Sequence, residues 1–191
     1  MTVKAPESLR LFFALWPDDA TASALQQLQV SMHGRRTAYA NLHVTLVFLG
    51  QQPTSLLPDL KDVLAHLPRS DITLRLDHVG HFRRNRIAWV GTRHVPPTLV
   101  ALHQHLVDAL QKRNVAFRME HEFTPHVTLA RDAAMPADMA FDPIVWRANR
   151  VALVKSVTTA EGSRYSIVAS REIDKDARVH DEGRSDDVEA P

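Results

Sequence analysis

The chain has 191 residues, of which 45% are hydrophobic and 24% are charged, and its formal net charge is +1. These values are ordinary for a globular protein with a hydrophobic core, and no apolar run approaches the roughly 18 residues needed to span a membrane. The chain has no cysteine, which excludes disulfides and thiolate ligands, and its N-terminus lacks the apolar core of a signal peptide. We therefore expect a cytoplasmic protein.

The charge is unevenly distributed along the chain. Residues 171–191 carry eight acidic and four basic side chains, so the part before them holds a surplus of five positive charges. That mildly basic part is compatible with a phosphate-bearing ligand, whereas the acidic segment has almost no apolar residues. We predict one bilobal domain over residues 1–171 and an acidic, disordered tail over residues 172–191.

The first third of the chain predicts one strand and two helices around a loop. An apolar run over residues 10–16 is typical of a buried strand, and it is closed by a proline. Apolar residues at helical spacing then predict helices over residues 17–33 and 54–67. Residues 35–40, between them, are predicted to form a loop.

The middle of the chain predicts a hairpin with a basic tip. Alternating apolar residues over 71–79 and the run 86–90 predict paired strands joined by a turn over residues 80–85. The tip carries Arg83, Arg84 and Arg86, which would lie near a phosphate or RNA backbone or simply in solvent.

The last part of the chain predicts one more helix and two more strands. Apolar spacing predicts the helix over residues 97–113. Strands are predicted over residues 150–157 and 164–170, with a turn between them.

The sequence His-Val-Thr-Leu occurs twice, as residues 43–46 and as residues 126–129. Each copy lies in an apolar run that favours a β-strand, and alternate residues of a strand share one face. His43 and Thr45 therefore point to one side of their strand, and His126 and Thr128 repeat the arrangement. The two copies are 83 residues apart and each follows a predicted helix, which suggests duplication of one unit.

The order of the elements favours an α+β fold with antiparallel sheet, because hairpins replace a strict alternation of strands and helices. We predict a bilobal molecule in which two pseudo-symmetric, mostly antiparallel sheets face a central cleft. Each sheet would contribute one histidine and one threonine to the cleft, and the helices would cover the outer faces.

Two imidazoles in one cleft are suited to paired acid–base catalysis, since the ordinary pKa of histidine is about 6.5. A neutral imidazole would take a proton from water, and a protonated one would give a proton to a leaving oxygen. Thr45, Thr128 and Arg131 would bind the non-bridging oxygens of a phosphate. This pattern predicts hydrolysis of a phosphodiester, especially a strained cyclic one, without a metal or other cofactor.

Other kinds of site are poorly supported by the sequence. No His-Glu-x-x-His or comparable metal-ligand cluster is present, and His103 and His105 diverge on their predicted helix. A serine nucleophile motif, a cysteine and a glycine-rich nucleotide loop are all absent. Phe48 and Trp89 are interpreted as core residues rather than as platforms for base stacking.

The two motifs and their flanks resemble the two-histidine (2H) phosphoesterase superfamily, and within it the bacterial RNA 2′,3′-cyclic phosphodiesterases, also called 2′-5′ RNA ligases. The similarity extends over about residues 9–170. It includes the opening strand from Arg10 to Ala14, both motif segments (41–50 and 125–132), and the segments 86–91 and 163–165.

This resemblance implies hydrolysis of an RNA-terminal 2′,3′-cyclic phosphate to a 2′-phosphomonoester. It implies that His43 is the proton donor to the leaving 3′ oxygen and that His126 is the proton acceptor from water. The identical motifs by themselves leave the two roles exchangeable. We expect a monomer that acts on RNA without a membrane partner.

Alternatives that remain open are a 2′-5′ RNA ligase or phosphodiesterase, a phosphodiesterase of small cyclic nucleotides, and a non-catalytic module that binds RNA ends.

Overall fold

Antiparallel strands make up most of the protein. The computed structural model describes residues 7–119, 122–136, 139–160 and 162–174. Its strands are β1 (Ser8–Leu15), β2 (Arg35–Arg36), β3 (Val44–Pro53), β4 (Thr73–Leu76), β5 (His78–Phe82), β6 (Ile87–Gly91), β7 (His126–Arg131), β8 (Ile144–Arg147), β9 (Arg150–Thr159) and β10 (Gly162–Glu172). Its α-helices are α1 (Asp19–Leu28), α2 (Leu57–Ala65) and α3 (Pro97–Lys112).

The large sheet consists of two halves that meet at the motif strands. Its strand order is β10-β9-β1-β3-β7-β6-β5, with β2 also paired to β7, while β4 and β8 form a separate two-stranded sheet. Strands β3 and β7 pair only through Val44 and Val127 among the described residues. Each motif strand is therefore the inner strand of its own half. This arrangement confirms the predicted α+β fold with mostly antiparallel sheet.

The core lies between the large sheet and the three helices. Val44 and Leu46 of β3 are buried in it, as are Val127 and Leu129 of β7. They pack in one cluster with leucines of all three helices: Leu25, Leu60, Leu64, Leu99, Leu102 and Leu106. Full burial stabilises each such side chain by roughly 1.5–3 kcal/mol. Strand alternation then turns the intervening His and Thr residues of both motifs away from this core.

The three predicted helices are confirmed, with shorter bounds. The side chain of Asp18 accepts a hydrogen bond from the backbone N–H of Thr21 (2.7 Å) and so begins α1. A 3-10 turn over Gln29–Ser31 follows α1, and another over Thr54–Leu56 precedes α2. Pro97 is the first residue of α3, where its missing N–H costs nothing.

The predicted hairpin is correct in its pairing but wrong in its bounds. Strand β5 pairs with β6, but β4, the first part of the predicted strand 71–79, pairs with β8. The chain changes sheets at Asp77, whose side chain accepts a hydrogen bond from the N–H of Arg93 (3.0 Å). Gly80, predicted as part of the turn, lies inside β5.

Other elements also differ from the prediction. The predicted loop 35–40 begins with the short strand β2, and β8 was not predicted. Glu172 ends β10 and Ile173 is buried, whereas the rest of the predicted acidic tail, residues 175–191, lies outside the described residues. No helix in the described part of the chain is long and apolar enough to cross a membrane.

Candidate active site

The two His-Val-Thr-Leu copies lie beside each other at the centre of the large sheet. Val44 of the first copy pairs with Val127 of the second in antiparallel orientation. In antiparallel strands, the residue before Val44 lies on the side of the residue after Val127. His43 therefore lies toward Thr128, and Thr45 lies toward His126. The geometry of the strands thus brings together the four polar motif residues predicted from the sequence.

Both histidines are oriented by the carbonyl group two residues before them. His43 Nδ1–H donates to the carbonyl oxygen of Asn41 (2.7 Å), and His126 Nδ1–H donates to that of Thr124 (2.7 Å). A carbonyl can only accept, so Nδ1 carries the hydrogen in each neutral imidazole and Nε2 is left as the basic atom. The Nε2 atom of His43 lies 3.1 Å from the hydroxyl oxygen of Thr45, which donates to it.

Asn41 fixes the carbonyl group that orients His43. Its side-chain amide donates to the carbonyl oxygen of Ser163, at the start of β10, over 2.8 Å. This contact ties the segment before β3 to the start of β10. No corresponding side-chain contact fixes Thr124 in the described residues.

Aromatic side chains surround His43. Its ring is stacked on Trp16 (5.7 Å between centroids, 7° between planes), meets Tyr165 edge-on at 5.3 Å and lies 4.9 Å from Phe12. Phe12 and Trp16 come from β1 and the residue following it, on the face opposite to the buried Leu11 and Phe13. We call Phe12, Trp16 and Tyr165 the first aromatic cluster.

A second aromatic pair packs against His126. Phe82 of β5 meets the His126 ring edge-on at 5.0 Å, and Trp89 of β6 lies 5.8 Å from it. Trp89 pairs with Thr128 in the strand register. The interpretation of Trp89 and Phe48 as core residues is wrong in part, because both side chains are only half-buried.

Burial in the first aromatic cluster lowers the pKa of His43 from 6.5 to about 4. The hydrogen bond to the Asn41 carbonyl opposes this shift, because it favours the protonated ring. The positive charges of His126 and Arg131 lower the pKa further, so both residues lie close enough to act on His43. In the free protein His43 is therefore neutral at neutral pH.

Arg131, predicted from the sequence as a phosphate ligand, lies at the end of β7. Its side chain is exposed, and it pairs with no carboxylate among the described residues. The backbone of Arg131 pairs with that of Arg35 in β2. Gly34 permits this close approach, because its φ is +104° and an added Cβ would lie 2.6 Å from the carbonyl oxygen of Arg131.

The aromatic residues around the two histidines, and Asn41, were not predicted as parts of the site. Strand parity was the available signal for Phe12, since it alternates with Leu11 and Phe13 and must face the other side of the sheet. No three His, Asp or Glu side chains cluster so as to hold a metal ion within the part of the chain that the structure describes.

Replacing Gly80 with alanine is expected to displace Trp89, because an added Cβ would lie 2.1 Å from the Trp89 ring. We expect a loss of about 1–3 kcal/mol in the free energy of unfolding, together with a lower kcat through the contact of Trp89 with His126. Denaturant unfolding and turnover measure the two effects.

A double-mutant cycle with Trp89→Val supplies the control for this prediction. Removing the indole removes the clash, so Gly80→Ala should cost much less stability in the Trp89→Val background. An equal cost in both backgrounds would show that the clash with Trp89 is not the cause.

Known proteins resemble this chain in sequence. It matches the 2′-5′ RNA ligase superfamily over residues 17–160. It is 33% identical over 135 residues to the RNA 2′,3′-cyclic phosphodiesterase of Escherichia coli (strain K12), an alignment that covers 67% of this chain and 74% of that protein. It is 25% identical over 178 residues to the protein of the same name from Methanocaldococcus jannaschii, covering 84% and 98%.

Solved structures share the fold. The crystal structure of E. coli LigT in apo form gives a TM-score of 0.76 at 25% identity and covers 88% of this chain and 99% of that one. E. coli LigT complexed with 3′-AMP gives a TM-score of 0.73 at 26% identity, covering 87% and 98%. The chain belongs to the 2′-5′ RNA ligase superfamily, which confirms the resemblance carried by the two motifs.

Proposed function

We propose that this protein hydrolyses the 2′,3′-cyclic phosphate at the end of an RNA chain and leaves a 2′-phosphomonoester. The observation that carries the proposal is the arrangement of the two motifs. The histidine of each motif lies toward the threonine of the other, and each Nδ1–H donates a hydrogen bond to a carbonyl oxygen. Relatives named RNA 2′,3′-cyclic phosphodiesterase support the choice of substrate. The 3′-AMP bound to E. coli LigT supports a nucleotide ligand.

In the proposed reaction the Nε2 atom of neutral His126 accepts a proton from water as the water oxygen bonds to phosphorus. The bond between phosphorus and the 3′ oxygen breaks, and Nε2 of protonated His43 gives its proton to that oxygen. The products are a 3′-hydroxyl and a 2′-phosphate, and proton exchange with solvent restores both rings. Each proton transfer of this kind contributes about 10²–10⁴-fold to rate.

Thr45, Thr128 and Arg131 are proposed to bind the non-bridging oxygens. Hydroxyl and guanidinium donors stabilise charge that develops on those oxygens in the transition state. These donors and the two rings account for each proposed step, so we propose a reaction that is independent of metal ions.

The donor role of His43 requires that the substrate raise its pKa. In the free protein burial holds that pKa at about 4, and the positive charges of His126 and Arg131 add to the shift. A bound phosphate places negative charge beside the ring, which favours the protonated form and offsets those charges.

We therefore expect the His43 ring to titrate near pH 4 in the free protein and at higher pH with adenosine 2′-phosphate bound. Nuclear magnetic resonance of the labelled imidazole measures both midpoints. Adenosine, which lacks the phosphate, should leave the midpoint unchanged. A midpoint that stays near 4 with the phosphate bound would favour His43 as the proton acceptor instead.

The proposed function is tested by incubating the protein, with excess chelator, with a short RNA that ends in a 2′,3′-cyclic phosphate. We expect a 2′-phosphate product, identified by the phosphorus resonance of the terminal nucleotide. Absence of hydrolysis, or a 3′-phosphate product, would overturn the proposal.

A second candidate, 2′-5′ joining of RNA, is favoured by the description of the family. The displacement would be the same, with a 5′-hydroxyl group of a second RNA in place of water. Adding an acceptor RNA with a free 5′-hydroxyl to the same assay should reveal a longer product with a 2′-5′ bond if this reaction occurs.

A further inference from the structure

The turn between β5 and β6 carries arginines at the edge of the candidate site. Arg83 and Arg84 lie in a 3-10 turn, Arg86 follows it, and all three side chains are exposed. The residue before the turn, Phe82, contacts the His126 ring at 5.0 Å. The turn therefore begins directly after a residue whose side chain touches a motif histidine.

This turn is held against the end of β7. The backbone N–H of Ala133 donates to the carbonyl oxygen of Arg86 (2.9 Å), and the Arg86 guanidinium donates to the carbonyl oxygen of Asp132 (3.4 Å). Arg86 and Asp132 both adopt positive φ, 51° and 52°, a conformation that is uncommon for residues other than glycine. These contacts keep the turn beside the two residues that follow Arg131.

Strand β2 places a further arginine beside the end of β7. Arg35 pairs with Arg131 in the strand register, and its Nε atom lies 3.7 Å from the Asp132 carboxylate. Among the described residues, no carboxylate forms an ion pair with Arg83, Arg84 or Arg86. We call Arg35, Arg83, Arg84 and Arg86 the arginine rim.

We infer that the arginine rim binds phosphates of the RNA chain that precede the terminal cyclic phosphate. The substrate class is thus a single-stranded RNA end rather than an isolated cyclic nucleotide. This inference rests on the proposed function, which places the terminal phosphate beside Arg131. Guanidinium groups suit the purpose, because they remain charged and match two phosphate oxygens at once.

A protein with Arg83→Gln and Arg84→Gln tests the inference. Its matched control carries Arg75→Gln and Arg147→Gln, which remove two exposed arginines from the separate sheet of β4 and β8. The two substrates are an RNA of about ten nucleotides ending in a 2′,3′-cyclic phosphate, and 2′,3′-cyclic AMP. Values of kcat/KM are measured over a range of salt concentrations.

We expect the rim variant to lose about tenfold in kcat/KM on the RNA at low salt. The slope of log kcat/KM against log salt should decrease in magnitude by about 1.4, since each phosphate contact on a single strand contributes about 0.7. Turnover of 2′,3′-cyclic AMP should change less than about twofold. The control protein should resemble the wild type on both substrates.

Equal losses on both substrates would overturn the inference, because the arginines would then act on the site or the fold. Unchanged turnover of the RNA would overturn it as well. If polyglutamate of equal total charge displaces the RNA, the rim would instead be assigned to binding of an acidic polypeptide.

Binding separates this inference from the proposed function. In a protein with His43→Ala and His126→Ala, fluorescence anisotropy with the same RNA should still show about tenfold weaker binding when the two rim arginines are replaced. If the wild type binds the RNA without hydrolysing it, and replacing the two rim arginines weakens that binding about tenfold, the proposed function fails and the rim inference stands. If the wild type hydrolyses the RNA and the rim variant binds it normally, the proposed function stands and the rim inference fails.

Discussion

Replacing His43 or His126 with alanine should lower kcat on an RNA-terminal 2′,3′-cyclic phosphate by about 10²–10⁴-fold. Each variant removes one of the two proton transfers, while the strand that carries it keeps its buried residues in the core. The double variant should lose little more than the worse single variant, because the two groups act as a unit. Single-turnover kinetics, with circular dichroism to verify folding, measure these effects.

His105→Ala is the matched control for the histidine variants. His105 is exposed on α3 and belongs to neither motif, so its removal should leave turnover within about twofold of the wild type. If both motif variants also stay within that limit, paired histidine catalysis is wrong for this protein.

Replacing Arg131 with glutamine should lower kcat/KM by about 10- to 10³-fold, because the phosphate loses its charge-assisted contact. The same change should raise the pKa of His43, since the charge of Arg131 helps to hold that pKa near 4. Kinetics and the titration of the His43 ring are two independent tests of the role of Arg131.

Arg131→Lys separates charge from geometry. Lysine keeps the positive charge but cannot form the two parallel hydrogen bonds of a guanidinium group. We expect the pKa of His43 to stay low while kcat/KM recovers only in part. Full activity in Arg131→Gln would contradict a role for this residue in phosphate binding.

The sequence predicted that the four polar motif residues lie together, because their placement follows from strand parity. His126 begins β7 and His43 directly precedes β3, so alternation along these strands fixes which side chains share a face with the histidines. This depends on no distant residue. The helices followed in the same way from the spacing of their leucines. Their ends were less predictable, as the 3-10 turns at Gln29–Ser31 and Thr54–Leu56 show.

What the sequence could not predict depends on distant partners. Apolar residues alternate from Ile72 to Leu76, but this pattern does not show which strand they pair with. The positions of β8 and β6 explain why the chain changes sheets at Asp77. Strand β2 has two arginines and no apolar pattern, so its pairing with β7 leaves no local signal. The low pKa of His43 likewise arises from aromatic residues contributed by β1 and β10.

The measurement that tests the paired-histidine account most directly replaces the leaving 3′ oxygen of the cyclic phosphate with sulfur. A thiolate leaves without the proton that an alkoxide requires, so the donor becomes dispensable while the acceptor does not. We predict that this substrate restores most of the activity lost in His43→Ala and none of that lost in His126→Ala. Restoration in His126→Ala alone would reverse the two roles, and equal losses on both substrates in both variants would contradict the division of labour between the two histidines.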